Sequence, residues 1–183
     1  MKIIEIKGKP QRERIEKAIS LDNNLIPMRT KFINLPDEIF EYKYQISLIN
    51  NLYLKNDIFC LQQNTNNDNY LKILELEIIK KLNSYKNQDK IKNKYNEDNI
   101  NYENVVEKLV ASKLTCFYCK NQLQLLYKKV RENMQWTLDR IDNNLPHKKD
   151  NVVICCLTCN LKRRNQDDKK FKQSKDLKII KKE

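Results

Sequence analysis

The chain has 183 residues and a formal charge of +12, from 36 basic against 24 acidic side chains. That length allows one ordinary domain or two small ones and excludes large multidomain catalysts. A single glycine, Gly8, excludes the glycine-rich phosphate loops of ATPases and kinases and the dinucleotide fingerprint, which need several.

MKIIEI, Met1 to Ile6, reads as a short strand, and RERIEKAI, Arg12 to Ile19, as a helix. Pro27 and Pro36 bracket a connector. The segment from Leu35 to Leu54 is expected to be a helix: Pro36 and Asp37 suit a first turn, and Ile39, Phe40, Tyr42, Ile46, Ile49, Leu52 and Tyr53 share an apolar face. Gln62 to Asn69 reads as a polar break. Tyr70 to Leu82 carries Leu71, Leu74, Ile78 and Leu82 at helical spacing. Asn83 to Asn101 reads as a loop or fraying helix, and Tyr102 to Leu114 as a further helix through Val105, Val106, Leu109 and Val110. Residues 1–115 therefore form an expected helical region without a catalytic constellation, open to a protein partner or to self-association. Cys60 within it reads as a small buried hydrophobe.

The chemistry is concentrated after residue 115. Cys116 and Cys119 form one CxxC pair and Cys156 and Cys159 a second, with 36 residues between them. Two knuckles of this kind complete the tetrahedral thiolate shell that Zn²⁺ accepts. Iron–sulfur ligation and a CxxC redox pair are the alternatives, since spacing alone does not choose the metal. Cys155 stands three residues from Cys159 and could replace Cys156; the two-residue spacing favours Cys156 and assigns Cys155 to packing. A metal here would stabilise a region with little core of its own.

Between the pairs, Leu123 to Val130 (LQLLYKKV) and Trp136 to Ile141 (WTLDRI) both read as strands of a hairpin. A helix is expected after the second knuckle. Trp136 reads as core rather than as a base-stacking platform. The fold class is thus α+β: a helical N-terminal region (1–115), a small zinc-stabilised domain (116–166) and a basic tail (167–183). Residues 116–183 hold 17 basic against 8 acidic groups, and residues 1–115 hold 19 against 16, so the polyanion-facing half is C-terminal. Lys148, Lys149, Lys162, Arg163 and Arg164 are the candidate phosphate contacts, and the tail adds Lys169 to Lys182 as a backbone clamp or import-like segment.

CFYC, WTLDRIDNN, HKKDNVV and CCLTCNLKRR, within Cys116 to Asn165, resemble the cysteine-containing branch of the HNH, or ββα-metal, endonucleases, including the phage Holliday-junction resolvase type and HNH-like proteins of giant viruses. The resemblance implies a treble-clef fold and metal-dependent hydrolysis of DNA phosphodiesters. It implies that Asp139 and Asn160 hold a catalytic Mg²⁺ or Mn²⁺ and that Asn151 shapes the loop. Position 140, the family's catalytic histidine, is Arg140 here. His147 is the chain's one histidine, so any imidazole base must be this residue. Arg140 remains charged at neutral pH and can grip a phosphate; Asp142 could hold water or Arg140. The alternatives are a catalytically silent DNA-binding or DNA-organising protein with the same fold, and an interaction role for the helical region. No run of about 18 apolar residues occurs, so a soluble intracellular protein without membrane association is expected, in nucleus, viral factory or virion.

Overall fold

A computed structural model describes residues 27–56 and 65–176. The expected strand at Met1 to Ile6, the helix at Arg12 to Ile19, Cys60 and the end of the basic tail lie outside the described residues. The fold is α+β. Helices α1 (Tyr42–Asn56), α2 (Thr65–Ile91) and α3 (Tyr102–Ala111) precede strands β1 (Trp136–Arg140) and β2 (Val152–Cys156), and helices α4 (Leu157–Arg163) and α5 (Asp168–Asp176) follow.

The start of α1 is sharper than the apolar pattern predicts. Pro36 precedes a single 3₁₀ turn, Asp37–Phe40, which buries Ile39, and the α-helix begins only at Tyr42. Gln45, Leu48, Ile49 and Leu52 form its buried face. Helix α2 departs further from expectation at its start, which lies within the expected polar break; at its end it continues to Ile91, into the segment expected as a loop or fraying helix. Its buried face runs from Leu71, Leu74, Ile78 and Leu82 on to Asp89, with Tyr85 packed beside it. The helical spacing persists, but its last members are polar, which hid the extension from an apolar-periodicity reading. Helix α3 matches its expected position. The Asn101 side chain caps it by accepting from Asn104 N at 2.8 Å, and Val105, Val106 and Leu109 are buried.

The hairpin is not the expected one. β1 pairs antiparallel with β2, from Trp136 opposite Cys156 to Arg140 opposite Val152. LQLLYKKV is not a strand, because its backbone groups find scattered partners instead of a ladder. Leu123 N bonds Leu114 O at 2.7 Å, Gln124 N bonds Met134 O at 2.9 Å, and Arg29 N donates to Lys128 O at 2.7 Å. The buried Gln45 side chain accepts from Leu125 N at 2.6 Å and donates to Leu126 O at 3.0 Å. Each backbone group so paired meets the requirement that otherwise drives sheet formation.

Both faces of the hairpin are covered. Four of the five β1 residues are buried, and one face meets α4 while Tyr85 from α2 accepts a hydrogen bond from Leu138 N at 3.0 Å. One hydrophobic cluster therefore joins Leu74, Ile78 and Leu109 of the helical region to Trp136, Leu138, Ile154 and Cys159. The first part of the basic tail forms α5, which docks Phe171 against Tyr118 with ring centroids 5.0 Å apart.

Candidate metal centre and cleft

The first knuckle turns at Cys116–Lys120. Lys120 N bonds Cys116 O at 3.1 Å, Cys116 N bonds Asn121 O at 2.9 Å, and Lys120 takes a left-handed φ of 59°. That conformation costs a non-glycine residue on the order of 1–2 kcal/mol, which the fold imposes in a chain almost without glycine. The second knuckle lies where β2 passes into α4, and Cys156 caps that helix, its sulfur accepting from Cys159 N at 3.3 Å. Cys156 N in turn donates to the Cys116 sulfur at 3.3 Å.

The Sγ atoms of Cys116, Cys119, Cys156 and Cys159 all lie within 4.8 Å of one another and can hold a metal ion. Cys119 and Cys156 stand 3.9 Å apart, close to the ~3.8 Å edge of a tetrahedron with metal–sulfur bonds of ~2.3 Å. Hydrogen bonding between Cys116 and Cys156 draws the Cys116 thiol below its ordinary pKa and pushes the Cys156 thiol up. Cys155 is excluded from the cluster. It is fully buried beside the Thr137 hydroxyl, 3.3 Å away, and burial pushes its thiol well up.

Beside this centre, β1, the loop after it and α4 enclose a cleft of about 1030 Å³. Its walls include Asp139, Arg140, Asp142, His147, Asn160, Arg163 and Arg164 together with Gln88 and Lys92 of the helical region. Asp139, Arg140, His147, Asn160, Arg163 and Arg164 thus converge, while Asn151, Lys148, Lys149 and Lys162 lie outside the lining, and the bonding differs from what the resemblance implies.

His147 is 3% exposed, and its Nδ1 lies 2.9 Å from Asp89 Oδ1. Asp89, fully buried, also accepts from His147 N at 2.8 Å and from Asn99 Nδ2 at 2.7 Å. A carboxylate can only accept, so Nδ1 carries the proton and Nε2 is the ring's acceptor. The Tyr85 ring packs on the imidazole at 4.8 Å. Burial lowers the His147 pKa against the opposing pull of Asp89, with Arg140 and Lys92 adding to the lowering, so the ring is neutral at neutral pH. Asp89 was invisible to motif reading. It lies 58 residues from His147 in a polar stretch, and only the helical extension of α2 brings the two together.

Asn151 fixes the loop. Its Oδ1 accepts from Asp142 N at 2.9 Å, and its Nδ2 donates to Asp142 O at 3.0 Å and Pro146 O at 2.9 Å. Arg140 donates to Leu145 O at 3.3 Å and stands 3.7 Å from Asp89. Asn160 donates from Nδ2 to Thr137 Oγ1 at 3.1 Å and Leu138 O at 3.2 Å, and its carbonyl oxygen has no hydrogen-bond partner among the described residues.

Arg163, expected as a phosphate contact, is instead 1% exposed. Its Nε donates to Asp139 Oδ2 at 2.5 Å and its Nη2 to Asp139 Oδ1 at 2.9 Å, while Tyr118 donates its hydroxyl to Oδ2 at 2.7 Å. Further bonds reach Gln166 O at 2.7 Å and the Arg140 carbonyl. A divalent ion at Asp139 does not fit this arrangement. Each unit of like charge about 4 Å from the guanidinium costs on the order of 4 kcal/mol at an effective dielectric of about 20, and the cation already holds both carboxylate oxygens. Lys148 and Lys149 pair with Asp98 and Glu107, each at 2.8 Å, whereas Lys162 and Arg164 are exposed.

No protein-family model matches the chain, and no curated protein or solved structure is significantly similar to it. Among the described residues no helix is long and apolar enough to cross a membrane.

Proposed function

We propose that the protein is a DNA endonuclease of the HNH, or ββα-metal, type, its treble-clef region held by one structural zinc ion at Cys116, Cys119, Cys156 and Cys159. The observation that carries the nuclease reading is the Asp89–His147 pair in the wall of the cleft that also contains Asp139, Arg140 and Asn160. Zinc closed in by four protein thiolates supplies folding energy rather than chemistry.

The chain's own residues support phosphodiester hydrolysis as follows. Asp89 holds the Nδ1 proton and orients the ring, so that Nε2 takes a proton from water. The water oxygen bonds to phosphorus as the bond from phosphorus to the leaving oxygen breaks; the leaving oxygen takes a proton from solvent, and Nε2 later releases to solvent the one it accepted. Arg140 and Lys92, both lining the cleft, place positive charge beside the phosphate. Asn151 keeps the loop that carries His147 in place. Duplex, nicked and branched DNA are all admissible substrates of such a cleft.

A second reading rests on the Asp139–Arg163 pair: with its carboxylate neutralised, the same fold would serve as a silent DNA-binding scaffold. Plasmid nicking by the purified full chain separates the two, run with Mg²⁺, with Mn²⁺ and with EDTA. Wild type should nick, and His147→Ala should nick about 10²- to 10⁴-fold more slowly at unchanged zinc content. Wild type that binds linear, nicked and four-way DNA yet cuts none of them would replace the enzyme with the scaffold.

A further inference from the structure

We infer that the Arg163 guanidinium is the resident cation of the Asp139 site and closes it to divalent metal ions in the free protein. The pair differs from a surface ion pair in its surroundings. Arg163 and Asp139 are both buried, the contact is bidentate, and Tyr118 supplies a third hydrogen bond to the carboxylate. The guanidinium also ties the end of α4 to the carbonyl of Arg140 at the end of β1 and to the Asn143 side chain in the loop, 3.3 Å away. A cation so held does not leave for solvent at little cost.

Behind it stand hard oxygen donors of the kind that Mg²⁺ and Mn²⁺ accept. Among the described residues Asp139 Oδ1 receives a hydrogen bond from Arg163 alone, and Asn160, with both amide hydrogens directed to Thr137 and Leu138, has no partner for its carbonyl oxygen in the same cleft. What the site lacks for a metal is vacant negative charge, and Arg163 is the reason. The inference rests on the proposed reading of the cleft, but it concerns cation occupancy without nucleic acid, so either can fail alone.

The test is Mn²⁺ titration of the zinc-loaded full chain, followed by the electron paramagnetic resonance of free Mn²⁺ and by melting temperature, without DNA. Wild type and Asp139→Asn should respond alike to Mn²⁺, neither binding it at this site nor melting higher as it is added, even though Asp139→Asn melts lower without metal. Arg163→Gln should gain one Mn²⁺ site at least about ten-fold tighter than any in wild type and should melt higher as Mn²⁺ is added, by linkage of binding to folding. Adding Asp139→Asn to Arg163→Gln should remove both effects, and Arg163→Lys, which keeps a cation, should stay closed. If Arg163→Gln folds poorly without metal, rescue of its melting transition by Mn²⁺ reads the same site. Asp139-dependent Mn²⁺ binding by wild type, or no Asp139-dependent gain in Arg163→Gln by either readout, overturns the inference.

Discussion

The buried carboxylates of Asp89 and Asp139 have opposite partners, an imidazole that can give up its charge and a guanidinium that cannot. At Asp139 removal of the carboxylate strands a buried cation, so Asp139→Ala should lower the unfolding free energy by about 3–5 kcal/mol in urea denaturation. A loss below about 1 kcal/mol would show that solvent reaches Arg163. Asp139→Ala is consequently a poor test of catalysis, because its inactivity and its instability coincide. At Asp89 the effect is on protonation. The folded His147 pKa lies below its unfolded value, so its contribution to stability is complete above about pH 6.5 and declines as pH falls below that toward the folded pKa. If the proposed function holds and His147 is the base, cleavage should be flat at neutral pH and fall as pH drops through the folded His147 pKa. Asp89 raises that pKa, so Asp89→Asn should move the acid limb of the pH–rate profile to lower pH while also slowing the reaction. An unmoved limb would assign it to another group.

Among the elements, the contact between α1 and the segment before β1 shows how side chains can stand in for a missing strand. Gln45→Ala would leave Leu125 N and Leu126 O without their buried partner. At about 1–3 kcal/mol for each unsatisfied group, the variant should lose about 2–6 kcal/mol of stability in denaturant unfolding, a cost that an ordinary exposed glutamine would not show. The metal centre joins two other elements, the first knuckle and the β2–α4 junction. Serine at Cys116, Cys119, Cys156 or Cys159 should reduce bound zinc from about one per chain, measured by atomic emission, and loosen the hairpin, whereas Cys155→Ser should keep the metal. The spacing of those cysteines made this centre legible in the sequence, as did the helical periods of α1 and α3 and the strand at Trp136. Two features were not legible, and a third, the end of α2, only as a loop or fraying helix. LQLLYKKV has strand-like residues, but its partners, Gln45 among them, come from elsewhere in the chain. The end of α2 keeps its helical face with Tyr85 and Asp89, which an apolar pattern does not register. Arg163 reads as one more surface cation in KRR until α4 places it under β1, because burial of a charge depends on a partner 24 residues away.

For the molecule as a whole, the proposed function makes the excess of positive charge after residue 115 the source of a salt-dependent DNA affinity, and the structure divides the basic residues into those available and those already paired. Arg163 is buried on Asp139, and Lys148 and Lys149 lie against Asp98 and Glu107 of the helical region. Lys92, Arg140 and Arg164 line the cleft, Arg140 with an ion pair to Asp89 at 3.7 Å, and Lys162 is exposed on α4 beside it. Four phosphate contacts from these residues would give a slope of log affinity against log salt of about −3 to −4 on duplex DNA, at about −0.9 per contact. Lys162→Ala and Arg164→Ala should each flatten the slope by about 0.9 and weaken all sequences alike. Lys148→Ala and Lys149→Ala should change it less, because each lysine must first leave a carboxylate. The converse is the stricter check: Asp98→Asn with Glu107→Gln frees both lysines without adding any positive residue, and should steepen the slope by up to about 1.8 in fluorescence anisotropy across a salt series. A slope that responds to Lys148 and Lys149 as strongly as to Lys162 and Arg164, and not to the freed pair, would place the DNA on the loop face of the hairpin rather than over the cleft.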